Sequence, residues 1–173
     1  FDDTRLSDSE VLKRISGFLA NIYKNKICLS GIIYMHRITD RRLGGTSRKN
    51  VLLLKRLCGE NFYPRVALVT TMWEELELQQ SGEYREAQLA SNESYWGDLY
   101  NKGSKILRHN NTQASALNIV DILLKNKGQA ALAIQHELVD EYKTLINTAA
   151  GQAIHMDLEE AIKRYENEIR DLK

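Results

Sequence analysis

Three polar segments of this 173-residue chain hold the residue types from which a binding or catalytic site could be built. One is Arg108-His109-Asn110-Asn111-Thr112. An Asn side chain carries a donor and an acceptor side by side, which suits the edge of a nucleobase. Asn-Asn is also ordinary turn chemistry, and on residue type alone a polar turn is the simpler reading. A second segment is Thr70-Thr71-Met72-Trp73-Glu74-Glu75. Its two hydroxyls could contact a nucleotide and its indole could cover a flat base. The same residues suit a helix cap with Trp73 packed in the core, and residue type favours neither. The third runs from His36 to Ser47. Arg37, Arg41 and Arg42 there could clamp a phosphate or a partner's carboxylate. Its mixture of signs fits a salt-bridged loop, again the simpler reading, and Gly44-Gly45 reads as a hinge or tight turn. At the start, Asp2-Asp3-Thr4 offers two carboxylates for a metal or a cap for the first helix.

Other catalytic patterns are missing from the chain. It contains no G-x-S-x-G, H-E-x-x-H or C-x-x-C, and no G-x-x-x-x-G-K-[ST] phosphate loop. Cys28 and Cys58 sit in apolar settings, KICLSGIIY and LLLKRLCGE, and read as buried free thiols. Their spacing supports neither a disulfide nor a metal pair, which points to a reducing, cytoplasmic compartment.

The elements that must position these residues follow from periodicity. Ser7 with Glu10 reads as a capping box, and Val11, Leu12, Ile15, Phe18, Leu19 and Ile22 predict a helix over 7–24. The apolar run 27–35 predicts a strand buried on both faces. A helix over 48–58 closed by Gly59, a buried strand over 66–71, and helical character from Tyr84 to Tyr100 follow. After them come a short strand from Ser104 to Arg108 and a helix over 115–125. Helix and strand alternate throughout, which predicts a parallel sheet with right-handed helical crossovers. Ligands of such sheets bind at the carboxyl ends of strands, so the loops after Met35, Val69 and Arg108 are the places to look. Two further helices, over 130–148 and 152–173, follow without a strand. In the second, Leu158, Ile162, Tyr165, Ile169 and Leu172 form a coiled-coil-like seam, read either as a helix packed on its own domain or as a pairing surface.

Composition bounds the rest. Hydrophobic content of 43% and charged content of 27% are those of a globular domain with a sizeable core. A net charge of +1 gives no whole-chain field for nucleic acid. No apolar run approaches the ~18 residues of a membrane span. The acidic opening FDDTRLSDSE does not have the character of a signal peptide and reads as the middle of a longer chain.

The ordered segments FDDT, GIIYMHRITDRRLGG, NVLLLKRLCG, VALVTTMWEE, GSKILRHNNT and SALNIVDIL resemble fungal P-loop GTPase-like proteins. These are similar to the immunity-associated (GIMAP-like) and septin-related GTPases. The resemblance covers nearly the whole chain and is most specific in YMHRITDRR and LVTTMW.

It implies a P-loop NTPase-like α/β fold over 1–128 whose first strands, Walker A loop and D-T-P-G switch precede Phe1. A helical extension over 129–173 follows. It implies GTP as ligand, with ATP the alternative because N-K-x-D is absent, Mg²⁺ held mostly by residues upstream, and a homodimer or partner protein. Thr70-Thr71-Met72-Trp73 falls where such GTPases carry N-K-x-D. Trp73 stands at the base-reading Asp, and Glu74 or Glu75 is the nearest substitute. His109-Asn110-Asn111 resembles an F-N-N segment whose asparagine contacts the base, which makes Asn110 and Asn111 base-side candidates. HRITD resembles a segment of the nucleotide-dependent dimer face. Phe1 would stand in place of the water-orienting Gln, which implies slow hydrolysis helped by an arginine: Arg37, Arg41 or Arg42. The alternative is a non-catalytic scaffold that acts through the C-terminal helices.

Overall fold

The computed structural model describes residues 7–40, 44–126, 128 and 130–171, with side chains over the same spans except for part of the last helix. The chain is α/β: a three-stranded parallel sheet flanked by helices, in the order β1-β2-β3. Helix α1 (Asp8–Lys24) starts at Ser7, whose hydroxyl accepts from the Glu10 amide. That satisfies one of the amide donors left free at a helix start. Leu12 and Leu19 enter the core from one face of α1, while Phe18 stays 62% exposed.

Strand β1 spans Ile32–Arg37, not 27–35. Gly31 passes so close to the Arg65 carbonyl that a Cβ would lie 2.6 Å from its oxygen, and the ladder begins only after this contact. His36 and Arg37 therefore belong to the strand rather than to the loop expected after Met35. Nor is β1 buried on both faces: Ile33 is 41% and Met35 61% exposed. The continuous apolar run misled because it cannot distinguish a central strand from an edge strand. Strand β2 (Val66–Thr71) is the central one and is buried at every position.

Helix α2 (Gly45–Cys58) connects β1 to β2 and ends at Gly59, which takes a positive φ of 70°. The helical segment expected from Tyr84 to Tyr100 is instead two helices, α3 (Gln79–Ser91) and α4 (Gly97–Asn101). Asn92 turns extended between them and its side chain accepts from the Ser94 amide. Strand β3 (Lys105–Arg108) and helix α5 (Gln113–Leu124) follow. All pairing is parallel, with His36 opposite Thr70 and Thr70 opposite Arg108.

The sheet divides the core. Tyr34, Leu68 and Ile106 join a large cluster with α1, α2, α4 and Leu89 of α3. Ala67 and Val69 meet Ile119 and Leu123 of α5 on the opposite face. The expected helix over 130–148 is broken into a turn of helix, α6 (Ala133–Gln135), a π-helical turn over His136–Asp140 and a 3-10 turn over Leu145–Asn147. Tyr142 adopts a left-handed φ of 53° between the last two, which interrupts any continuous helix. Helix α7 (Ala149–Asp171) does form. Leu132, Ile134 and Ala150 of this tail enter the large cluster beside Leu12 and Leu54.

Candidate functional site

The carboxyl ends of β2 and β3 bring the second and first polar segments together. Both strands end side by side because the register sets Thr70 opposite Arg108, and the His109 amide extends the ladder to the Thr70 carbonyl at 2.9 Å. Met72 turns the chain with a left-handed φ of 62° and folds Trp73 back beneath the strand end.

A closed polar network results. Trp73 Nε1 donates to Thr70 Oγ1 at 3.0 Å, and Thr70 Oγ1 donates to Glu86 Oε1 at 2.9 Å. Arg108 donates to the same carboxylate from Nε at 3.0 Å and from Nη2 at 2.6 Å. The guanidinium carbon lies 4.1 Å from the centroid of the Trp73 ring. Such a charge-assisted pair fixes both partners more firmly than a neutral hydrogen bond. The hydrogen bonds that Arg108 donates to the Glu86 carboxylate are the main cause that raises the guanidinium's pKa, and the face of the Trp73 ring also favours a cation.

Of the sequence candidates, Thr70, Thr71 and Trp73 lie here but inward: their exposures are 0%, 6% and 6%. Thr71 Oγ1 donates to the His36 carbonyl at 3.4 Å. Asn110 and Asn111 lie beside them and are exposed. Asn111 takes a left-handed φ of 54°, and the Asn110 amide donates to Ser115 Oγ at 3.2 Å. Ser115 Oγ is also 2.9 Å from His109 Nδ1, and Thr112 caps α5 by accepting from the Ser115 amide. Glu74 and Glu75 are exposed.

Arg37 ends β1 with its side chain 65% exposed and bridged to Asp40 at 3.3 Å. Arg41 and Arg42 lie outside the described residues, as do Phe1 and the Asp2-Asp3-Thr4 cluster. His36 points to the large cluster and meets Trp96 edge to face at 5.8 Å. Burial lowers its pKa, so it stays neutral at pH 7. Beside the strand ends a cleft of about 260 Å³ is lined by Thr39, Glu75, Leu76, Leu78, Ser81 and Arg85. Arg85 Nη1 donates to the Ile38 carbonyl at 2.8 Å on its wall.

Two participants escaped the sequence. Glu86 lies in a polar helix with no motif around it; only its spacing of one turn from Glu83 marks an acidic face toward Arg108. The other is a cluster remote from the sheet ends. Tyr23 Oη donates to Asp140 Oδ2 at 2.9 Å, and His136 Nδ1 lies 2.6 Å from the same oxygen. Hydrogen bonds from His136 and Tyr23 hold the Asp140 carboxyl below its ordinary range. This triad ties α1 to the π-helical turn.

Among the described residues no group of three or more His, Cys, Asp or Glu side chains converges. No helix among them is long and apolar enough to cross a membrane. The chain matches no family model, no curated protein and no solved structure.

Proposed function

We propose that this chain is the base side of a GTP-binding switch domain of P-loop NTPase type that hydrolyses GTP slowly. The observation that carries the reading is the meeting of Thr70, Trp73, Asn110 and Asn111 at two adjoining strand ends of a parallel sheet. Open parallel sheets receive ligands at those ends. The proposal needs phosphate and Mg²⁺ ligands from outside these 173 residues, since no G-x-x-x-x-G-K-[ST] occurs within them. Residues upstream of Phe1 would hold the Mg²⁺, which would supply positive charge against the phosphates, while the present residues would orient the base. Arg37 is the described candidate for a trans-acting arginine, because it is exposed at the end of β1. A cytoplasmic location belongs to the same reading.

The test is the coding sequence upstream of Phe1. A Walker A loop followed by D-T-P-G supports the switch, and a coding sequence with neither sinks it. The 173 residues alone should show no GTP binding by titration calorimetry, because phosphate and metal contacts dominate nucleotide affinity. Micromolar binding by them would overturn that division of labour.

A second reading, a scaffold without catalysis, rests on a different observation. Met156, Leu158 and Ile162 of α7 are 62%, 57% and 48% exposed along one helix. Leu158 and Ile162, one turn apart, share a face, and an exposed apolar pair of this kind can pack against a second helix, from a partner or another copy. Sedimentation of the wild type against Leu158→Glu/Ile162→Glu tests this surface: self-association lost in the variant supports it, and a wild type that stays monomeric with and without a partner extract sinks it.

A further inference from the structure

Trp73 packs against Gly82 of α3, where a Cβ would lie 2.8 Å from its Cζ3, and the Arg108 guanidinium carbon lies 4.1 Å from its ring centroid. That planar group offers two adjacent N–H donors, Nε and Nη2, and both point to Glu86. Glu86 is held in turn by the Thr70 hydroxyl, itself fixed by the Trp73 indole N–H. An aromatic floor with a preset carboxylate beside it recognises one kind of group: a flat ring or fork with two neighbouring N–H donors on one edge.

Guanine has that edge in N1–H and the exocyclic N2–H. Adenine lacks it, because its N1 is an acceptor. We propose that Trp73 and Glu86 form a guanine slot, that Glu86 reads the N1–H/N2–H edge, and that Arg108 fills the slot until a base displaces it. This rests on the GTP-binding reading and deepens it, by assigning the base-reading carboxylate to α3 and a self-occluding role to Arg108. Glu74 and Glu75, although nearer in sequence to Trp73, are exposed and do not enter the network.

Arg108 is able to leave. Its side chain is 39% exposed, whereas that of Glu86 is 15% exposed, so the guanidinium is the outer member of the pair. Glu83, 53% exposed and 3.7 Å from Nη1, gives it a carboxylate outside the slot. Asn110 and Asn111, exposed just after His109 at the end of β3, are the polar side chains nearest in sequence to Arg108 that an entering base would meet.

The test is an NMR titration of the whole chain with GMP and AMP, read at the Trp73 indole N–H. Arg108→Lys keeps the charge and guards the fold, but removes the planar fork; Arg108→Ala empties the slot. In both variants GMP should shift the Trp73 resonance at a concentration at least about ten-fold lower than in the wild type, and about ten-fold lower than AMP. Adding Glu86→Gln should abolish the preference for GMP. Equal shifts by GMP and AMP, or no shift in a folded Arg108→Lys, would overturn the slot. The two ideas fail separately. A coding sequence without an upstream phosphate loop ends the switch reading and leaves a positive GMP result standing. A GTP-binding protein whose preference over ATP survives Glu86→Gln ends the slot and leaves the switch.

Discussion

Gln135 donates from Nε2 to the carbonyl of Leu19 at 3.0 Å, joining the C-terminal turn to the first helix inside the core. Its Oε1 accepts from the Leu132 amide at 2.9 Å, and the residue is 2% exposed. One side chain therefore satisfies a buried donor and a buried acceptor from segments far apart in sequence. Gln135→Leu keeps the volume but strands the Leu132 amide, while the Leu19 carbonyl keeps its partner in the ladder of α1. A stranded buried group costs about 1–3 kcal/mol, so urea unfolding should show a loss in that range. A loss below about 0.5 kcal/mol would mean that water replaces the Gln135 oxygen.

Gly59 and Gly45 bracket α2, and the same substitution should act in opposite senses at the two. Gly59 has φ 70° and ψ 155°, a region almost closed to other residues, and a Cβ there would lie 2.8 Å from that of Ala133. Gly59→Ala should destabilise by about 2 kcal/mol or more. Gly45 opens the helix, and a Cβ there meets nothing within 4 Å. Gly45→Ala should be neutral or stabilise by up to about 1 kcal/mol. Thermal melts of the two variants check the pair, and equal shifts would contradict the backbone argument.

His36 should make stability depend on pH below neutrality. Its pKa in the folded chain lies below the ordinary 6.5, with burial the main cause; Asp40 opposes the shift and Arg37 adds to it. The unfolded chain thus takes up the proton first. The stabilisation is fully present above pH 6.5 and is lost as pH falls through the folded value. Urea midpoints should fall between pH 7.5 and pH 5, and His36→Phe, which retains a ring against Trp96, should flatten that part of the profile. An unchanged slope in His36→Phe would assign the dependence to other groups.

These sites show which features the sequence carried. Period and capping chemistry located α1, α2, β2 and α5, since each is decided by residues within one turn or one strand. Edge or centre is not decided locally, and so β1 read as doubly buried. The tail failed for a similar reason: Tyr142 in a left-handed conformation and the Thr148 hydroxyl, which donates to the Leu145 carbonyl, are invisible to periodicity. At the candidate site Trp73 and Asn111 were legible because they belong to compact segments. Glu86 was not, because its role depends on α3 folding back across the end of β2. Of the readings of this segment, core packing of Trp73 is what the fold shows, with the Arg108 guanidinium beside its ring. The 3-10 turn and the helix that follow start after Met72 and Leu78, with no side-chain cap from Thr70 or Thr71.

The open face of β1 gives the last prediction. Ile33 and Met35 share the sheet face of Ala67 and Val69, but α5 covers β2 and leaves them 41% and 61% exposed. On α5 itself Val120 and Leu124 are 42% and 62% exposed. Parallel sheets are normally covered on both faces, and an apolar edge strand is a template for association. Met35→Lys puts a charge on that edge without removing a buried contact, so it should lower light scattering of the concentrated chain while shifting stability by no more than about 0.5 kcal/mol. Leu68→Lys, one strand inward on a residue that is 0% exposed, should unfold the chain instead. If Met35→Lys also unfolds it, then Met35 is buried in solution, and the face that looks open is already covered by another molecule.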